Sequence, residues 1–193
     1  MFGWQAGLIP IPVRMTVIRL ADAQLILHSP VPISPELRNE LDALGPVGFI
    51  VVPKAHGRFA DQAAKLYPSA ELVSAPGAPA AWAGQVESHL VLGFRLEEVV
   101  LFHRPSRSLV ITDLCFHIQR SSSAVARLFF RANGMWQRFG PSRIIRRLGV
   151  SDRAAFEHSL EQVLRWDFER IVPGHGDVIE HGARDALRAA WLG

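Results

Sequence analysis

The sequence predicts an α/β (α+β) protein: a mixed sheet with helices on its faces, built as a single domain over residues 1–193. Three observations carry that reading. Short apolar runs of strand length alternate with helical stretches in the first 75 residues and again at the C-terminus. Elsewhere the runs at 98–103 and 108–113 are separated only by Arg104-Pro105-Ser106-Arg107, which makes them an antiparallel hairpin. The chain has 193 residues and no internal repeat, enough for one domain with a substantial core.

Taken in order, residues 1–13 are mostly apolar, but the first basic residue is Arg14, and Pro10 and Pro12 break the run. That pattern is not a secretory signal. It predicts an extended N-terminal arm (1–14) that packs Trp4, Leu8 and Ile9 onto the domain. Residues 15–20 and 24–28 are strands joined by a short turn. Ser34 is a helix N-cap, with Pro35 at the first helical position and Glu36 in the first turn. Leu37, Leu41 and Leu44 share a face of that helix, and Gly45-Pro46 stops it.

Residues 47–52 form a buried strand that runs directly into Pro53-Lys54-Ala55-His56-Gly57. A helix over 58–66, a short strand over 71–74 and a Pro/Ala/Gly-rich loop over 75–84 follow. Strands recur at 89–93, 98–103 and 108–113. Helices dominate from 122 to 166, with Ser151 or Asp152 capping the longest. The strand 170–173 delivers Gly174-His175-Gly176-Asp177, and a terminal helix closes the chain.

Composition excludes several classes. Apolar residues make up 49% and charged residues 20%, which excludes disorder. No apolar run approaches the ~18 residues of a membrane-spanning helix. A single cysteine, Cys115, cannot staple the fold or build a multi-thiolate zinc site, and cytoplasmic localisation is the expectation. Cys115 itself reads as a small buried side chain.

The net charge is only +3, yet it is unevenly placed. Arg120, Arg127, Arg131, Arg138, Arg143, Arg146 and Arg147 fall in a stretch without Asp or Glu, interleaved with Leu128, Phe129, Phe130, Met135, Trp136 and Phe139. Segment 120–150 therefore reads as an Arg-rich helical insertion. It is either a solvated face or a landing site for a small anion, an acidic partner or a peripheral membrane surface. No nucleic-acid motif accompanies it, so no nucleic acid is expected.

Three apolar strands end in a metal-ligating side chain: His56 after 49–52, Asp113 after 109–112 and His175 after 171–174. Ligands collect at the carboxyl ends of strands in open α/β sheets, and imidazole and carboxylate suit zinc, iron or manganese. Each residue alone is a weak signal; all three in one setting point to a shared site. His103 and His28 also end strands and are candidates for a further ligand or general base, or for plain structural hydrogen bonding. His117 is a candidate neighbour, and Asp177 a candidate to orient His175 or to cap the last helix. His89, His158 and His181 sit in polar contexts and are expected at the surface. No Gly-x-Ser-x-Gly elbow or phosphate-cradling glycine loop occurs.

The segments IVVPKAHGRFADQAAKLYPSAELVSA, LVITDLCF and RIVPGHGDVI resemble the metallo-β-lactamase-like superfamily. PIPVRMTVIRL, LHSPVPIS, VVLFHRPSRSLVITDL and RFGPSR are similar to a bacterial branch of it with a degenerate metal-binding motif. The resemblance covers nearly the whole chain from about Pro10. It implies an αββα sandwich with the site at one edge between two sheets.

Family hydrolases carry Thr-His-x-His-x-Asp-His. In register, this chain keeps only His56; Lys54, Arg58 and Phe59 replace the other ligands, and Phe94 stands where a Gly-His segment gives the next one. Asp113 matches the carboxylate that bridges two metals, and His175 matches the final histidine. Three of the seven usual positions are thus filled, which argues against a two-metal centre.

Two functions follow. The first is a metal-dependent hydrolase with at most one divalent ion, zinc before iron or manganese, held by His56, Asp113 and His175. A metal-bound water would attack an ester, lactone or phosphoester of a small anionic substrate. Lys54 and Arg58 would bind its anionic part, with His103 a further catalytic group and Asp177 and His28 supporting the ligands. The second is a non-catalytic fold member that binds no metal and docks a partner or membrane through its Arg-rich segment.

Overall fold

A computed structural model describes residues 2–6, 9–73 and 77–193. The side-chain packing expected of Trp4, Leu8 and Ile9, and the positions of Ser74 and Ala75, lie outside the described residues. The strands are β1 (Phe2–Ala6), β2 (Ile9–Val13), β3 (Thr16–Arg19), β4 (Leu25–His28), β5 (Val47–Val51), β6 (Glu71–Val73), β7 (Val86–Leu90), β8 (Val99–His103), β9 (Ser108–Ile111), β10 (Phe116–His117), β11 (Phe139–Gly140) and β12 (Arg170–Pro173). The helices are α1 (Pro35–Leu44), α2 (Ala60–Leu66), α3 (Ala124–Ala132), α4 (Arg143–Leu148), α5 (Arg153–Val163) and α6 (Ala183–Leu192).

Side-chain alternation along the strands decides the layers. In β4, Leu25 and Leu27 join Ile50, Leu41 of α1 and Ala63 of α2 on one outer face. Ile26 points the other way, into a core with Phe49, Val51, Val99, Leu101 and Val110 between the sheets. In β8, Val100 and Phe102 join Leu109 and Ile111 against Phe156 and Leu160 of α5 and Leu187 and Trp191 of α6.

Two four-stranded sheets, ordered β3-β4-β5-β6 and β12-β9-β8-β7, thus pack face to face with helices outside both. This is the expected αββα sandwich. Because both faces are covered, β4, β8 and β9 read as continuous apolar runs. Each fully buried aliphatic side chain contributes about 2 kcal/mol.

Helix starts follow the sequence signals. The Ser34 hydroxyl accepts from the Leu37 N–H, with Pro35 at the first position. Asp152, rather than Ser151, caps α5 through the Ala155 N–H.

Four local differences have physical causes. Within the arm 1–14, β1 and β2 pair antiparallel as a hairpin, from Phe2↔Val13 to Ala6↔Ile9. A two-stranded ribbon leaves open edges on which prolines are tolerated. The strand expected at 89–93 is β7, because pairing with β8 fixes its register from Val86↔His103 to Leu90↔Val99, and Val91 turns into the helix-side core. Residues Lys54–Phe59 form a 3-10 turn before α2, interrupted at His56 (φ −112°, ψ 19°). Within 120–150, β11 separates α3 from α4 by pairing with β10. Two-residue strands are too short to leave a period-2 pattern.

Candidate metal centre

β4 runs parallel to β5 in one sheet, and β9 parallel to β12 in the other. Three of these carboxyl ends, those of β5, β9 and β12, meet at one edge of the sandwich, where the 3-10 turn presents His56, the residues after β9 present Asp113, and Gly174 leads to His175. One ligand atom from each of the three lies within 4.8 Å of the others. His56 Nε2 lies 3.2 Å from Asp113 Oδ2, and His175 Nε2 lies 3.2 Å from Asp113 Oδ1. All three side chains are nearly buried, at 8%, 13% and 7% exposure for His56, Asp113 and His175.

Each imidazole is fixed from behind. Ser29, the residue after β4, places its hydroxyl 2.6 Å from His56 Nδ1. His175 Nδ1 donates to the carbonyl of Pro12 at 2.7 Å, so the N-terminal hairpin is part of the site. Arg14 ties the hairpin down: its N–H donates to Gly174 O at 2.8 Å and its guanidinium to Pro173 O at 3.1 Å. The Phe116 ring stacks on His175, with centroids 4.9 Å apart.

Glycine is needed on both sides of His175. A Cβ at Gly174 would meet Thr112 Cα at 3.1 Å and His56 Cε1 at 3.5 Å; at Gly176, with φ +98°, it would meet His117 O at 2.1 Å.

The hydrogen bond to Pro12 decides what the cluster demands. A carbonyl only accepts, so Nδ1 of His175 carries a hydrogen. In the neutral ring Nε2 then turns a lone pair towards Asp113, and two electron-rich atoms face each other across 3.2 Å. The arrangement calls for a cation between them, either a second ring proton or a metal ion. The donor set and its outer partners therefore fit one divalent ion. Burial opposes ionisation of Asp113, and its contacts with His175 and His56 outweigh it, holding the carboxyl well below its ordinary range.

Glu98, just before β8, is buried behind this edge. Its Oε1 accepts from the Thr112 N–H at 2.6 Å, and Oε2 has no partner among the described residues. Burial and the charge of Asp113 push its carboxyl up to about 8. His28 Nε2 faces Val99 O at 3.3 Å across the two sheets. Burial lowers its pKa to about 4, a shift that the Val99 hydrogen bond opposes and the neighbouring His56 adds to.

Several expected site residues lie elsewhere. His103 is at the opposite end of the sheet, hydrogen-bonded to Ser106 at 2.7 Å, because antiparallel β8 pairs His103 with Ser108 at the start of β9. Lys54 pairs with Glu97 at 2.5 Å on the surface. Arg58 is exposed beside Phe59. Asp177 does not orient His175; its carbonyl takes the His117 Nδ1 contact at 3.0 Å and its carboxylate faces Arg120. His28 is close behind the cluster without touching its carboxylate.

His89 is half-buried on Ser159, not at the surface. Phe94 packs against Phe156 and Trp191 in the helix-side core, and Cys115 is buried there as expected. Sequence reasoning missed Ser29, Glu98 and the Pro12 carbonyl. Ser29 and Glu98 flank strands, a findable signal; a backbone carbonyl 163 residues from its partner leaves none.

The sequence profile of a family described as a domain of unknown function (DUF4336) matches residues 5–83, which include His56 but neither Asp113 nor His175. A search of the curated proteins gave no match. Among solved structures, the chain is similar to DIM-1 metallo-β-lactamase, with TM-score 0.58 and 13% identity over 98% of this chain and 90% of that one. It is also similar to a metallo-β-lactamase from Pontibacter korlensis, with TM-score 0.56 and 14% identity over 98% and 92%. A third is the chemotaxis sensor ODP in a peroxy diiron state, with TM-score 0.58 and 11% identity over 93% and 86%. With its two sheets, outer helices and polar edge, the chain has the metallo-β-lactamase fold.

Proposed function

We propose that this protein is a metal-dependent hydrolase with at most one metal, acting on an ester, lactone or phosphoester of a small anionic molecule. The observation that carries the reading is the convergence of His56, Asp113 and His175 with the Nδ1 atoms of both imidazoles held by Ser29 and Pro12. These three residues would hold the ion, zinc before iron or manganese, which supplies Lewis-acid polarisation and an acidified water near neutral pH.

The chain's own groups do the rest. Ser29 and Pro12 fix the two rings, Asp113 stays ionised between them, and Gly174 lets the backbone pass close to Thr112 and His56. Phe116 shields one side of His175 from water. Lys54 and Arg58 flank His56 on an exposed turn and give its approach a positive potential. The Lys54–Glu97 pair is a surface ion pair worth no more than about 1 kcal/mol, so Lys54 exchanges partners readily.

A second reading, a non-catalytic cluster, is favoured by one observation: both imidazoles already face Asp113 within 3.2 Å. It requires a second ring proton on His175 in place of a metal. Elemental analysis of protein purified without a metal-affinity tag separates the two. About one metal per chain, lost in His175→Ala together with chelator-sensitive hydrolysis of aryl esters or phosphoesters, is the expected result. A metal-free protein with unchanged folding in His175→Ala overturns the hydrolase.

A further inference from the structure

The fold gathers three arginines of the acid-free stretch around one opening. Arg138, Arg143 and Arg146 line a cleft of about 240 Å³ beside β11 and α4, together with Gly134, Gly140 and Pro141. Arg143 donates to Ala132 O at 3.1 Å, and Arg146 donates to Ala190 O and lies 5.7 Å from the Trp191 ring centre. These partners are neutral, so the side chains are positioned while their charge stays uncompensated. Arg138 is exposed. Among the described residues none of the three makes an ion pair, whereas arginines elsewhere do: Arg107 with Asp167 and Glu169, Arg153 with Glu157, Arg188 with Glu161.

We propose that this cleft is a binding site for a phosphate monoester group. Converging like charges repel one another unless an anion joins them. Guanidinium forks match both carboxylate and phosphate. A carboxylate offers one charge and two oxygens, whereas a phosphate monoester offers close to two charges and three terminal oxygens, which suits three guanidiniums. The volume lies below the roughly 300–1,000 Å³ of drug-sized pockets, so the ligand part inside is headgroup-sized.

The site does not rest on the hydrolase reading. It lies outside the His56–Asp113–His175 cluster, and the β10–β11 pair, where Gly140 opposes Phe116, is one link between them. The phosphate could belong to a soluble small molecule or to a lipid headgroup. Val125, Leu128, Ile144 and Leu148 of α3 and α4 are exposed apolar side chains that would accompany the second source.

The test is calorimetric titration of the whole, chelator-treated chain with inorganic phosphate and with glycerol phosphate, beside co-sedimentation with phosphatidylcholine vesicles with and without phosphatidic acid. Arg138→Gln removes one cleft arginine with no intramolecular ion pair to lose. Arg147→Gln, on the same segment but outside the cleft lining, is the control, and thermal melts confirm that both fold. Binding weakened about tenfold by Arg138→Gln and unchanged by Arg147→Gln is the expected result. Seen with glycerol phosphate it identifies a soluble ligand; seen only with phosphatidic acid vesicles it identifies a lipid. No binding of any probe, or equal weakening in the two variants, overturns the proposal.

Discussion

Ser29 holds a left-handed backbone conformation, φ 59°, which costs a non-glycine residue about 1 kcal/mol. The strain is explained by what its hydroxyl does: it fixes His56 Nδ1 from the side away from Asp113, as the Pro12 carbonyl fixes His175. Outer partners of this kind set ring tautomer and direction, and their loss typically weakens metal binding about 10–100-fold. Ser29→Ala should therefore lower metal affinity by that factor in a competition titration with a chelator, while metal-free protein loses only about 1 kcal/mol, the worth of one hydrogen bond. Unchanged affinity would mean that His56 is oriented by the 3-10 turn alone.

At the level of elements, strand direction selects which polar residues meet. β5, β9 and β12 send their carboxyl ends to one edge, and β8, antiparallel to β9, sends its amino end there. Hence Glu98 lies behind Asp113, while His103 is carried to the far end. His103→Ala is expected to leave metal content and hydrolysis unchanged and to cost about 1 kcal/mol in a denaturant melt through loss of the Ser106 contact. A loss of metal in that variant would contradict the topology.

The same logic shows what was legible in the sequence. The buried strands, the Ser34 cap and the strand-end positions of His56, Asp113 and His175 each leave a local pattern in the sequence. Strand direction in β8, the two-residue β10–β11 pair and the Pro12 carbonyl depend on partners distant in sequence. His103 reads as a site candidate for that reason, since a histidine ending a strand looks the same whichever way the strand runs.

For the whole molecule, two of the titratable groups that the four layers bury, His28 and Glu98, have opposite consequences. His28, lowered to about 4, stays neutral in the folded state while the unfolded chain binds a proton below its ordinary 6.5. It makes stability rise with pH between about 4 and 6.5. Glu98, raised to about 8 from 4.5, keeps its proton in the folded state after the unfolded chain has lost it, so its contribution is present below 4.5 and is lost as pH rises to about 8. Between about 4.5 and 6.5 the two slopes oppose each other and nearly cancel. From 6.5 to 8 His28 no longer contributes, and Glu98 should by itself remove about 2 kcal/mol of stability from chelator-treated protein over that interval. Glu98→Gln keeps an uncharged acceptor for the Thr112 N–H and removes the titration. Urea melts at half-unit pH steps should show the parent falling from 6.5 to 8 by about 2 kcal/mol more than the variant. Parallel profiles in parent and variant would place Glu98 in its charged form, with a cation or water reaching Oε2.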